Sequence, residues 1–181
     1  MKTLVGIVAT AIALYLWGFL FWGLGDIPYS GWKQTADDAA TQQMIREVFP
    51  ESGTYYVPGF DHEPEERAWL FEQGPVGFVH IDLDGRPEMD PMIMGTGFVL
   101  NIVIVALMAA FFKVARAKEF RDFVRLSLIG GAVAVVTIHG GDMVWWQTPV
   151  EWKTWPLIYD FTAWLLVGHL LGFFMKSSEP T

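Results

Sequence analysis

Ionisable side chains are rare inside long apolar runs, yet this chain places His139 and Asp142 in one such run and Asp160 and His169 in the next. Asn101 adds an amide to a third. Moving a charged group from water into hydrocarbon costs several kcal/mol, so each group needs a partner or a wet pocket and is a functional candidate by position. His139 and Asp142, at i and i+3, share one face of an α-helix. At ~1.5 Å per residue, Asp142 falls roughly 6 Å, His139 about 10 Å, Asp160 roughly 9 Å and His169 about 22 Å below the same, outer membrane face. His139, Asp142 and Asp160 are therefore expected to form one polar cluster between the last two helices, with Gly140 and Gly141 letting a neighbouring helix approach.

Imidazole and carboxylate at one level could brace a helix bundle, relay a proton, hydrogen-bond a quinone or contact a partner. A haem held by two histidines needs both at nearly equal depth, whereas His139 and His169 differ by about 12 Å. The cluster has ligand types that suit a metal, but its spacing is not diagnostic, and no metal is assigned. A hydrogen-bonded structural cluster is the first expectation. No catalytic residue is named, cofactor-binding residues are left open, and no cofactor is expected.

The elements that must position these groups are four apolar runs at 3–24, 93–114, 124–146 and 155–175. A span of ~30 Å of hydrocarbon needs roughly 20 helical residues, and each run is long enough. Hydrophobic residues make up 52% of 181 positions, more than a water-soluble fold of this size usually carries. The first run follows Lys2 as a secretory leader would, but it is too long and ends in aromatics with no small-residue cleavage site, so it is read as an anchor. Gly168-His-Leu-Leu-Gly172 is a small-xxx-small match that permits close helix packing, with weaker matches at Gly6/Thr10 and Ala9/Ala13.

The loop 113–125 holds five basic residues against two acidic ones, the bias of a cytoplasmic loop. Both termini then lie in the cytoplasm. The segment 25–92, with fourteen acidic and four basic residues, lies outside. Trp22, Trp32, Trp145, Trp146, Trp152 and Trp155 fall near the outer helix ends, where amphipathic rings settle at headgroup level.

The outer segment has the pattern of a small α+β subdomain. Thr35-Ala-Asp-Asp38 starts a helix over 37–49 with Ala40, Met44, Ile45 and Val48 on one stripe. Thr54-Tyr-Tyr-Val57 and 76–83 have strand composition, and the second alternates Val79, Ile81 and Leu83 against Phe78, His80 and Asp82. Between them, acidic 61–72 carries the apolar patch Trp69-Leu-Phe71, to be covered by the subdomain or by a partner. His80-Ile-Asp-Leu-Asp-Gly85 is similar to part of a calcium loop but lacks its first ligand and its twelfth-position glutamate, so it reads as a strand running into an Asp-Gly turn. Residues 177–181 read as a disordered tail.

Without cysteine the chain has no disulfide, thiolate metal site or iron–sulfur cluster. Walker, Rossmann and H-E-x-x-H patterns are absent, and the acidic outer face argues against nucleic acid. The aromatic-rich Leu16-Trp-Gly-Phe-Leu-Phe-Trp22, the outer Gly53-Thr-Tyr-Tyr-Val-Pro58 and three further spans resemble small uncharacterised four-span bacterial inner-membrane proteins with an outer domain after the first helix. The resemblance implies a periplasmic segment 25–92 and brings no activity with it. The expected protein is thus a membrane-embedded, mainly α four-helix bundle with a small α+β periplasmic subdomain inserted between helices one and two. Its expected role is a non-catalytic accessory or assembly subunit of a larger inner-membrane complex, in contact with the lipid bilayer and other membrane subunits. The alternative is a small redox, quinone-binding or proton- or solute-transport protein that uses the His139/Asp142/Asp160 cluster.

Overall fold

The computed structural model describes residues 1–176. The expected tail at 177–181 lies outside the described residues. The chain forms two units, one from Met1–Trp32 together with the part that begins at Met89, the other Lys33–Glu88.

The first unit is built from four helices long and apolar enough to cross a membrane: Lys2–Gly23, Pro91–Val114, Phe120–Trp145 and Val150–Met175. In chain order the helices are α1 (Lys2–Gly23), α2 (Asp38–Val48), α3 (Pro64–Gln73), α4 (Pro91–Val114), α5 (Phe120–Val135), α6 (Gly141–Trp145) and α7 (Val150–Met175), with β1 (Gly53–Val57) and β2 (Gly77–Ile81) in the second unit. A π turn, Val136–Gly140, joins α5 to α6 within the third span. Helix α4 is capped by the Asp90 carboxylate, which accepts from the Met92 amide at 2.8 Å. The Glu119 and Asp122 side chains form a reciprocal capping box at the start of α5, satisfying amides that a helix N-terminus leaves free.

Helix α7 packs along α5 and α1, and α1 packs in turn on α4, so the order across the unit is α4, α1, α7, α5. Helices α4 and α5 meet where their short loop joins them, through an edge-on contact of Phe112 and Phe123 at 5.1 Å. Away from that loop they separate. The buried core consists of Ala11 and Leu14 of α1, Val105, Met108, Ala109 and Phe112 of α4, Phe123 of α5, and Val167 and Leu171 of α7.

The fourth helix differs from expectation, beginning at Val150 rather than near residue 155. Proline favours the first turn of a helix, which makes Pro156 look like a start. Pro149 takes that capping position instead, and Pro156 stands inside α7, where its missing N–H costs one backbone bond. The linker 24–32 closes against this end, with the Trp155 indole N–H donating to Ser30 Oγ at 3.2 Å.

The Lys33–Glu88 unit contains α2, α3 and an antiparallel pair, β1 with β2, in the register Tyr55 to Val79. Asp37 caps α2 by accepting from the Ala40 amide at 3.0 Å. In β2, Val79 and Ile81 are the more covered residues and Phe78 and His80 the more exposed, the period-two pattern of a half-covered strand. Helix α3 falls where the sequence suggested only an acidic connection. Its signals are Pro64 in the first turn, with Glu65 and Glu66 beside the positive end of the helix dipole. Gly85 has φ of 72°, the left-handed conformation the Asp-Gly turn requires.

Candidate functional site

The π turn decides which side chains meet. In an α-helix His139 and Asp142 would share a face, but a π turn inserts a residue and rotates the helix beyond it. His139, inside the turn and 5% exposed, places Nε2 2.8 Å from Oδ2 of Asp160 on α7. Its Nδ1 is buried and has no partner among the described residues.

Asp142 finds a different partner. Its Oδ2 lies 2.6 Å from Nζ of Lys153, in the first turn of α7. Lys153 also lies over the Trp152 ring, 4.5 Å from its centroid. The expected single cluster of His139, Asp142 and Asp160 is thus found as two pairs, His139 with Asp160 and Asp142 with Lys153. The physical reason is charge. Asp142 near a helix end can reach the Lys153 ammonium, a full cation that compensates its carboxylate. Sequence reasoning misses Lys153 because it misses the early start of α7. Lys153→Met should therefore leave Asp142 uncompensated and lower stability by up to ~3 kcal/mol in thermal unfolding, with Asp142→Asn in the same chain restoring most of it.

The close packing that holds α5 on α7 comes from small residues. A Cβ built on Gly168 would lie 2.2 Å from Ser127 Oγ, and one on Gly172 would lie 3.0 Å from Phe123 Cβ. Gly131 plays the same part from α5, since a Cβ there would lie 2.7 Å from that of Trp164. The expectation for Gly140 and Gly141 is corrected: a Cβ on Gly140 would touch only Val136 of its own turn, and one on Gly141 would meet nothing within 4 Å. Helix approach on this span uses Gly130 and Gly131, roughly three turns earlier.

Where α4 and α5 separate, a half-open groove of about 600 Å³ remains. Its walls are Asn101, Ile104 and Phe111 of α4 on one side, and Ala134 of α5 with Tyr159, Asp160 and Trp164 of α7 on the other. Leu14 of α1 closes the floor. Asp160 thus has two faces, one oxygen on His139 and a side chain 41% exposed along the groove. A mostly apolar cavity of this size with a few convergent polar groups has the general form of a small-molecule site, for which ~300–1,000 Å³ is usual.

Comparison with protein-family models, curated proteins and solved structures finds no match to this chain. Function therefore rests on the geometry.

Of the remaining candidates, Asn101 lines the groove, whereas His169 stands apart from it. The His169 ring lies edge-on to Phe120 at 5.9 Å, and its Nδ1 is 2.7 Å from the Leu165 carbonyl of its own helix. Among the described residues, no group of three or more histidines or carboxylates is arranged to hold a metal. In the Lys33–Glu88 unit, rings of Tyr56, Phe60 and Phe71 pack together, while Met44 and Val48 of α2 and Trp69 of α3 remain exposed.

Proposed function

We propose that this chain is a multi-pass protein of a bacterial inner membrane that takes a largely apolar, membrane-dissolved molecule into the groove between α4 and α5, where Asp160, held by His139, supplies a polar contact. The observation that carries this reading is the carboxylate itself. The Asp160 carboxylate, bonded to His139 through one oxygen, lines an apolar cavity, and a polar group kept there has a cost unless it meets a ligand or water. A cysteine-free chain makes the test direct. After stripping of bound lipid, Ala134→Cys should react with an apolar maleimide and become protected when a membrane-lipid extract is restored. Val133→Cys, on an exposed position of α5, should react in both conditions. Equal reaction of Ala134→Cys with and without the extract would remove the reading.

In this proposal both termini are cytoplasmic and Lys33–Glu88 is periplasmic, supported by the basic loop 113–125 and the acidic segment 25–92. Reporter fusions at Gly59 and Ala117 should report opposite sides of the membrane, and a common side would reject this orientation.

A second reading, an accessory or assembly subunit of a larger membrane complex, is favoured by the uncovered Met44, Val48 and Trp69 of the Lys33–Glu88 unit. Met44 and Val48, at i and i+4, share one face of α2, and exposed apolar faces mark surfaces that other proteins cover. Crosslinking in intact membranes from photoreactive residues at Met44 and Trp69 should give discrete larger species, and crosslinks to lipid alone would oppose the reading.

A further inference from the structure

We infer that the molecule held in the groove belongs to the quinone class: a neutral ring with oxygens at opposite ends and an apolar tail. The inference rests on the groove reading above and names its ligand.

The polar groups of the groove lie deep. Asn101 stands ten residues into α4 and Asp160 ten residues into α7, and both helices start on the same side. At ~1.5 Å per residue Asn101 lies about 12 Å and Asp160 roughly 9 Å below the starts of their apolar runs, inside a ~30 Å hydrocarbon layer rather than at its surface. Phospholipids and fatty acids keep charged heads at the interface, because burying an isolated charge costs several kcal/mol. A ligand whose polar atoms reach that depth must have an uncharged head.

They also come from two different helices. Asn101 and Asp160 belong to helices on opposite walls, so the groove offers one polar group from each side and apolar surface elsewhere. A fatty alcohol, a sterol or a diacylglycerol carries its oxygens at one end and would leave one wall unpaired. A quinone or its hydroquinone has oxygens across a ring. The Asp160 carboxylate can accept from one hydroxyl of a hydroquinone while the Asn101 amide pairs with the hydroxyl across the ring, so the reduced form is the one that both groups can bond.

The shape of the walls favours a flat head. Trp164 and Tyr159 present aromatic surface to the groove. Close packing against Gly130 and Gly131 fixes the Trp164 ring, since a Cβ at either position would come within 3.1 Å of it. Offset stacking on a fixed ring selects a planar group over a flexible chain. The mouth between α4 and α5 lets a long tail leave sideways.

The test uses the full chain in lipid nanodiscs, a short-tailed hydroquinone kept reduced and a saturated alcohol of equal tail length. The hydroquinone should bind saturably and more tightly than the alcohol. Asn101→Leu, which spares the His139–Asp160 pair, should weaken hydroquinone binding about tenfold, as expected for one lost buried hydrogen bond, and weaken alcohol binding less, because a single hydroxyl can pair with Asp160 alone. Ala134→Trp, which fills the groove, should abolish binding of both while thermal unfolding stays cooperative. Equal affinity for hydroquinone and alcohol, or no effect of Asn101→Leu, would overturn the quinone assignment and leave the groove reading standing. Saturable binding of neither probe, or binding unaffected by Ala134→Trp, would overturn both.

Discussion

Gly168→Leu is expected to cost about 3 kcal/mol, the upper end of the usual penalty for forcing extra atoms into a packed interior. The first added carbon would sit 2.2 Å from Ser127 Oγ and 2.5 Å from Ser127 Cβ, and the Phe123 carbonyl at 3.2 Å blocks retreat in the other direction. Ser127 is fully buried and Phe123 nearly so, which leaves the clash no open space to relax into. Gly141→Leu provides the contrast. With nothing within 4 Å of the new carbon, it should stay within about 0.5 kcal/mol of the parent, as surface changes usually do. Ser127→Gly should rescue Gly168→Ala, and the coupling of the two changes should lie in the ~0.5–3 kcal/mol range of residues in contact. Thermal unfolding of each variant reads all of these values. A Gly168→Leu chain as stable as Gly141→Leu would mean that α5 and α7 do not approach through Gly168.

Asp160→Leu carries the second large effect. His139 is almost wholly buried, its Nε2 bonds Asp160, and its Nδ1 has no other partner among the described residues. Removing the carboxylate strands the ring, at a cost of roughly 1–3 kcal/mol for an unsatisfied buried polar group. Asp160→Asn keeps an oxygen for the imidazole N–H and should recover much of that loss. The two-pair arrangement gives this experiment further content. Changes at Asp160 and Asp142 should add to within about 0.5 kcal/mol because the two carboxylates share no partner, whereas Asp160 with His139 and Asp142 with Lys153 should each be non-additive. Strong coupling of Asp160 to Asp142 would restore the single cluster and contradict the two-pair description.

How far the sequence reaches is visible in these same residues. The four long helices are legible because length and apolar composition are summed over about twenty residues, and no local detail can hide that signal. Gly168 and Gly172 are legible because the small-xxx-small spacing places both on one face. Gly131 is not, since its close neighbour is Trp164, a large side chain on another helix that no spacing rule connects to it. The π turn leaves no mark that can be read: Val136-Thr-Ile-His-Gly140 continues the apolar run without proline, and only the slip in phase separates His139 from Asp142. Lys153 looks like part of a loop because it falls just before the apolar run at 155–175, whereas α7 begins at Val150.

The groove is the least legible feature. It exists because α4 and α5, neighbours in sequence, part beyond Phe112 and Phe123, a consequence of which helices α1 and α7 hold. Asn101 and Asp160 can be named from the sequence as polar residues in apolar runs, but their position across one cavity cannot.

If this cavity is an occupied binding site, its ligand should travel with the protein. The most direct measurement is a solvent extraction of the protein purified in mild detergent, with the co-purifying neutral lipids quantified per chain by mass spectrometry for the parent and for Ala134→Trp. A stoichiometric amount of one apolar, uncharged molecule is predicted in the parent and a trace in the groove-filled variant. Equal amounts in both, spread over the ordinary lipids of the membrane, would contradict the account.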